Sequence, residues 1–303
     1  MAPVGVTIPF VRDMDFAYGE AAQISPLVRR VVARNPSLLT HHGTNTYLVG
    51  RGKVVVIDPG PALRDHLAAL RRAVGHDTVT HILVTHRHRD HTEAAIELAQ
   101  ETGARLAAGA PAITSVPLPG HHHEEETDLA FSPDLVLGKG DRVACPDLTL
   151  EALPTPGHTA DHLCFALAQD GLLFTGDHIM GWSTSVVIPP DGDMRAYVAS
   201  LRLLLARGDT AYLPGHGPAI TATQPYVTAL LAHRAERERE ILAALGSGRH
   251  HIPGIVAAVY ADVDPSLHPA AGLSVLAHLR ALVAEKRVIC KGAPGLEAEY
   301  RPG

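Results

Sequence analysis

Apolar and polar positions along this chain follow two rhythms, and the rhythm changes twice. Thr46-Tyr47-Leu48-Val49-Gly50 and the run from Lys53 to Asp58 read as two strands joined by a glycine-containing turn, a hairpin that Asp58-Pro59-Gly60-Pro61 stops. Arg64 to Val74 puts Leu67, Leu70 and Val74 on one helical face. A strand over 81–85 follows, then a helix over about 92–102 closed by Gly103, then a short strand over 105–108. Strand, helix and strand in turn are the mark of α/β organisation.

Residues 111–140 break that rhythm. Pro117, Pro119, Gly120, His121-His122-His123, Glu124-Glu125-Glu126 and Pro133 predict an insertion rather than a framework element, with the His/Glu tract 121–126 as a solvated loop. Strands return at 148–153, 163–168 and 172–175, then a helix over 194–207 and a last strand at 211–213. Beyond about 222 the pattern is helical: a long helix over 225–245, two more over 255–260 and 271–285, and a small strand pair formed by Val288-Ile289-Cys290 and the final residues. Three helices and a ribbon predict a compact appendage of winged-helix type. The expected division is a catalytic unit over 1–222, with the insertion at about 111–140, and a C-terminal unit over 223–303. The charged positions 234–240 read as a solvated helix face with i,i+4 pairs.

Composition adjusts this picture in a few places. The chain has 303 residues, 46% of them hydrophobic, enough for a large core. Its formal charge of -6 gives no bulk attraction to a polyanion, and the C-terminal unit has nine basic residues against eight acidic ones. Packing or homodimer formation therefore suits that unit as well as RNA binding does. Cys145, Cys164 and Cys290 are scattered, which speaks against a disulfide framework or a cysteine-built metal site and for three reduced thiols in a cytoplasmic protein. No signal peptide is evident in the first residues, and the apolar runs are interrupted short of 18 residues, so no membrane-spanning helix is expected.

The chemistry concentrates in Thr85 to His91. His86, His88, Asp90 and His91 fall within six residues, directly after the apolar run Ile82-Leu83-Val84. In extended chain alternate residues point the same way, so His86 and His88 aim at one point. Asp90 and His91 lie at the start of a helix and turn toward a neighbouring point. Imidazole and carboxylate suit Zn2+ and related divalent ions, so this spacing suits two ions side by side and points to hydrolysis. His158 in Pro156-Gly157-His158-Thr159, Asp177 in Thr175-Gly176-Asp177 and His216 in Gly215-His216-Gly217 each stand where a strand gives way to a glycine-supported loop. Asp58 is expected to orient a metal-binding imidazole, or simply to cap its turn.

The ordered set His86-x-His88-x-Asp90-His91, His158, Asp177 and His216 resembles the metallo-β-lactamase superfamily over about residues 40 to 220. The resemblance implies an αββα sandwich and a two-metal site: His86, His88 and His158 on one ion, Asp90, His91 and His216 on the other, and Asp177 between them. Within the superfamily, Gly43-Thr44-Asn45-Thr46-Tyr47-Leu48-Val49-Gly50, Gly215-His216-Gly217-Pro218 and the helical tail resemble the β-lactamase-like protein 2 group, whose C-terminal piece is winged-helix-like and whose animal members are described as endoribonucleases on single-stranded RNA. The His/Glu tract and Trp182-Ser183-Thr184 depart from that group's pattern.

The expectation is a dinuclear Zn2+ hydrolase, with Mn2+ or Fe2+ as alternative metals, using a hydroxide shared between two ions about 3.5–4 Å apart. Asp90 would orient the hydroxide, and His178 or His42 would protonate the leaving group. A small ester, thioester or lactone is the first substrate class. Single-stranded RNA is the second reading, and a metal-stabilised regulatory module without turnover the third.

Overall fold

Two β-sheets lie face to face, with helices on both outer surfaces. The structure is a computed structural model and describes residues 6–111 and 126–303. The first sheet has seven strands in the order β1 (Ala21–Ser25), β2 (Val28–Val32), β3 (Asn45–Arg51), β4 (Lys53–Ile57), β5 (Thr78–Leu83), β6 (Arg105–Ala108) and β7 (Leu135–Val136). It is antiparallel through β4 and parallel from β4 onward. The second has five, in the order β12 (Ala211–Pro214), β11 (Leu172–Gly176), β10 (Leu163–Leu167), β9 (Leu148–Pro154) and β8 (Arg142–Cys145).

Both faces of each sheet are covered, so the central strands are apolar on both sides. In β4, Val55 and Ile57 enter the layer between the sheets, while Val54 and Val56 face α1 (Arg64–Val74) and α3 (Ala95–Thr102). In β10, Leu163, Phe165 and Leu167 point into the same central layer. Its alternate residues Cys164 and Ala166 pack outward toward α4 (Met194–Leu205) and α5 (Thr223–Gly246). Asp193 caps α4, its side chain accepting the Ala196 amide at 2.9 Å.

α5 has 24 residues and belongs to two cores. Tyr226, Val227 and Leu230 sit on the outer face of the second sheet. Ile241, Ala244 and Leu245 pack instead with α6 (Ile252–Val259), α7 (His268–Ala284) and the hairpin of β13 (Val288–Cys290) and β14 (Tyr300–Pro302). Three helices and a two-stranded ribbon make up this C-terminal part, as expected.

Several sequence expectations need correction. The strand expected over 81–85 runs Thr78–Leu83. The helix expected over 92–102 is two pieces, α2 (Arg89–Thr92) and α3, because the Gly60 carbonyl takes the Ala94 amide at 3.0 Å where the chain turns. The insertion is shorter than 111–140. From Glu126 on, the chain is framework: Thr127 bridges to His88, Phe131 is buried against the first sheet, and β7 extends it. The tract 121–125 lies outside the described residues. The charged run on α5 is not uniformly solvated, since Arg234 is only 6% exposed. Pro265–Ala284 is long and apolar enough, by composition, to cross a membrane, with mean hydropathy 1.3. Its apolar residues Leu273, Val275, Leu276, Leu279 and Leu282 are spent on the C-terminal core.

Candidate metal centre

The sandwich gathers the seven predicted ligand residues at one end, each where a strand or short helix meets a loop. His86 and His88 follow β5, Asp90 and His91 lie on α2, His158 follows β9, Asp177 follows β11 and His216 follows β12. Donor atoms of His86, His88 and His158 all lie within 4.8 Å of one another, and so do those of Asp90, His91 and His216. Asp177 reaches both groups: one oxygen is 3.2 Å from His216 Nε2 and 4.0 Å from His158 Nε2, and the other is 3.6 Å from His91 Nε2.

Two glycines make the convergence possible. A Cβ on Gly215 would lie 2.4 Å from Asp177 Oδ1 and 2.7 Å from the His91 ring. Gly157 has φ +147°, and a Cβ there would lie 2.3 Å from Tyr197 Cα. That loop is fastened to α4: the Gly157 carbonyl accepts the Asp193 amide at 2.9 Å, and Ser200 Oγ donates to the Pro156 carbonyl at 2.8 Å.

Hydrogen bonds on the outer side settle which ring nitrogens face inward. His91 Nδ1 donates to Asp58 Oδ2 at 3.0 Å, His158 Nδ1 to the Val186 carbonyl at 2.6 Å and His216 Nδ1 to the Gly43 carbonyl at 3.3 Å. Thr85 Oγ1 donates to Asp58 at 2.8 Å, so it accepts from His86 Nδ1 at 3.0 Å. Each of these four rings thereby presents Nε2 to the interior. His88 turns the other way: its Nδ1 lies 3.0 Å from His86 Nε2 and 3.2 Å from His158 Nε2. Asp58, at φ +49°, also accepts the Thr85 amide at 2.8 Å. It therefore does what was expected of it, orienting His91.

The charges fit cations. Burial, with neighbouring imidazoles, pushes His86 well down and His88 to about 3, so both are neutral donors. Burial acts the same way on His91, yet Asp90, Asp58 and Asp177 outweigh it and raise His91 to about 9. His216 is raised well above its usual value against burial, by Asp177 and then Asp90. Burial raises Asp177, but His216 and His91 hold it far below the carboxylate range. Protons on His91 and His216 thus balance the two carboxylates. His91 Nε2 and Asp177 Oδ1 are buried without a hydrogen-bond partner. Orphaned donor atoms, neutral imidazoles and protons held where a cation could replace them are what a divalent metal site requires.

Not every predicted residue reaches the site. His178 is fully buried behind it, 4.7 Å from the Tyr197 ring, with both nitrogens unpartnered and its basicity pushed down to about 3 by burial. It is not on the pocket wall, which consists of Leu39, Thr40, His88, Asp90, His158, Asp177, Met180, Val186 and His216. His42 is also absent from that wall; its ring meets His41 edge-on and lies tilted against Phe16. Sequence reasoning missed other contributors. Thr44 Oγ1 donates to Asp90 Oδ2 at 2.9 Å, and His162 stacks on His86 at 5.2 Å. Asn45 holds the His216 loop by donating to the carbonyls of Pro214 at 3.0 Å and Gly217 at 2.8 Å. Thr44 and Asn45 lie in a segment already singled out, whereas Val186 acts through its backbone and leaves no side-chain signal.

Known proteins resemble this chain in sequence and in fold. Residues 39–216 match the family described as the metallo-beta-lactamase superfamily, and residues 252–295 match the beta-lactamase associated winged helix domain. The chain is similar to a beta-lactamase-like protein 2 homolog of Caenorhabditis elegans, 31% identical, with 74% of this chain and 72% of that protein covered. It is likewise similar to an atrochrysone carboxyl ACP thioesterase of Claviceps purpurea, 32% identical, with 76% and 69% covered. A beta-lactamase domain protein from Burkholderia ambifaria shares the fold at 20% identity, TM-score 0.77, with 96% of each chain covered. By its sandwich and its family match, this chain belongs to the metallo-beta-lactamase superfamily, and it carries that superfamily's associated winged helix domain.

Proposed function

We propose that the protein is a dinuclear metal-dependent hydrolase of an acyl ester or thioester, with a thioester preferred. One observation carries the preference. The pocket is lined by imidazole and carboxylate together with the apolar side chains of Leu39, Met180 and Val186, and among the described residues no Lys, Arg or independent acid lines it. Its remaining hydroxyl, Thr40 Oγ1, donates to the Asn35 carbonyl.

His86, His88 and His158 would hold one ion and Asp90, His91 and His216 the other, with Asp177 shared. When bound, the metals supply Lewis-acid polarisation of the acyl carbonyl and a water ionised near neutral pH. Asp58 keeps His91 Nδ1 protonated and its Nε2 turned inward. Thr44 fixes one Asp90 oxygen, which leaves the other to orient the attacking water. Leu39, Met180 and Val186 exclude bulk solvent and receive the acyl group. A thiol has a pKa of about 8.5, so a thiolate leaves without a proton donor. An alkoxide or an amine needs one, and among the described residues this pocket offers none beyond its ligand set. The thioesterase among the similar proteins supports the same class. A polyanionic RNA would need cations at the mouth, so the endoribonuclease reading gains nothing here.

The test is a purified protein with its metal content measured, offered an acyl thioester, an oxygen ester, a lactone and a single-stranded RNA. The expectation is thioester hydrolysis that chelation and His88→Ala both abolish. RNA cleavage without thioester hydrolysis overturns the reading.

A further inference from the structure

We propose that Arg234, on α5 and outside the ligand set, is a positioning residue for His158. The proposal rests on the reading above, in which His158 holds a metal. His158 is held between two walls. One is the loop 185–187, whose Val186 carbonyl accepts His158 Nδ1 at 2.6 Å. The other is Tyr197 on α4, whose backbone packs against Gly157 so closely that no Cβ fits between them. Arg234 touches both. Its Nη2 donates to the Ser185 carbonyl at 2.5 Å, one residue before Val186, and its guanidinium carbon stands 5.1 Å from the Tyr197 ring centroid. Ser185 is tied further in, its Oγ donating to the His178 carbonyl at 2.7 Å.

Arg234 stands in an unfavourable setting. It is 6% exposed, its Nε has no hydrogen-bond partner, and among the described residues no carboxylate pairs with it. A buried cation without a counter-ion opposes folding, and an apolar side chain of similar length would fill the space without that penalty. Arginine does something here that such a side chain cannot. Its fork donates to a carbonyl while its charge stands over an aromatic ring, so one side chain fixes two surfaces at once. One surface carries the acceptor for His158 Nδ1, and the other packs on Gly157, the residue before it. Arg234 also sits between the two halves of α5, one on the sandwich and one in the C-terminal core, so that core braces a candidate ligand it never touches.

The experiment compares Zn2+ binding isotherms of metal-stripped wild type, Arg234→Met, Arg234→Lys, His158→Ala and the double variant Arg234→Met/His158→Ala, with folding checked by circular dichroism. Arg234→Met is expected to weaken Zn2+ binding roughly tenfold or more. Melting of the metal-free protein should hold or rise, because a buried unpaired charge is gone. Arg234→Lys, which keeps a donor for Ser185, should recover part of the affinity. In the His158→Ala background Arg234→Met should have no further effect, because it acts through that ring. Equal losses in both backgrounds, or an unchanged isotherm in a folded Arg234→Met, overturn the proposal. Wild-type protein that binds no metal overturns the underlying reading instead, and the two failures are told apart by that control. If Arg234→Met does not fold, the Lys variant and its double with His158→Ala decide by the same criteria.

Discussion

Asp58 Oδ2 lies 3.0 Å from His91 Nδ1, and Asp58 Oδ1 accepts the Thr85 amide at 2.8 Å, so one carboxylate links β4, β5 and α2 beneath the candidate metal centre. Removing it frees the His91 ring and leaves the Thr85 donors buried and unpaired. Asp58→Ala should weaken metal binding by about 10- to 100-fold, measured by titrating metal-stripped protein. An affinity equal to wild type would show that Asp58 serves only its turn.

Metal binding should expel protons. His91 is raised to about 9 and His216 lies well above its usual range, so both rings carry a proton at neutral pH in the metal-free protein. A cation taking their Nε2 atoms displaces those protons. Calorimetric heats of Zn2+ binding should therefore vary with the ionisation enthalpy of the buffer. Identical heats across buffers would mean that these two rings are not displaced.

Gly215→Ala tests the close approach at the last strand. The added methyl falls 2.4 Å from Asp177 Oδ1, against neighbours with no room to retreat. Overpacking of this kind costs about 1–3 kcal/mol. The variant should melt lower and lose metal stoichiometry while keeping its far-ultraviolet dichroism. Full metal content at wild-type affinity would contradict the tight packing.

Acid should weaken the C-terminal part through His278. Burial, then Arg234 and Arg237, press this histidine down to about 3 in the folded protein. The unfolded chain takes up its proton below an ordinary value of about 6.5, the folded chain not until about 3, so stability is complete above that upper value and falls as pH drops through the interval. One such group contributes a slope of about 1.4 kcal/mol per pH unit there. His278→Leu should flatten the fall between pH 6 and 4, seen in denaturant melts of both proteins. Parallel curves would show that His278 is not responsible.

The candidate site was legible because its residues are marked locally. A buried apolar run precedes His86, and glycines flank His158, Asp177 and His216. What sequence could not supply was support arriving from far along the chain. β2 carries Arg29 and Arg30, which disguise a strand. In the fold Arg29 pairs with Asp77 at 2.6 Å and Arg30 donates to the Asp15 carbonyl at 3.0 Å, so tertiary contacts hold the two side chains that hid the pattern. α2 is one turn long, shorter than any periodicity can reveal. Arg234 stands first in a run of charges and looks like its neighbours, but only the fold shows that it is the one buried. The restart of the framework at Glu126 was hidden by the histidines and glutamates before it.

At about 1.5 Å per residue, α5 is a rod of roughly 36 Å driven through both cores. Its first turns lie on one flank of the sandwich, so a shortened protein ending before Thr223 would uncover part of the apolar cluster that Tyr226, Val227 and Leu230 complete. The tail is therefore no detachable ornament. Recombination that kept the candidate metal pocket but discarded this rod would yield a sticky, poorly folded product.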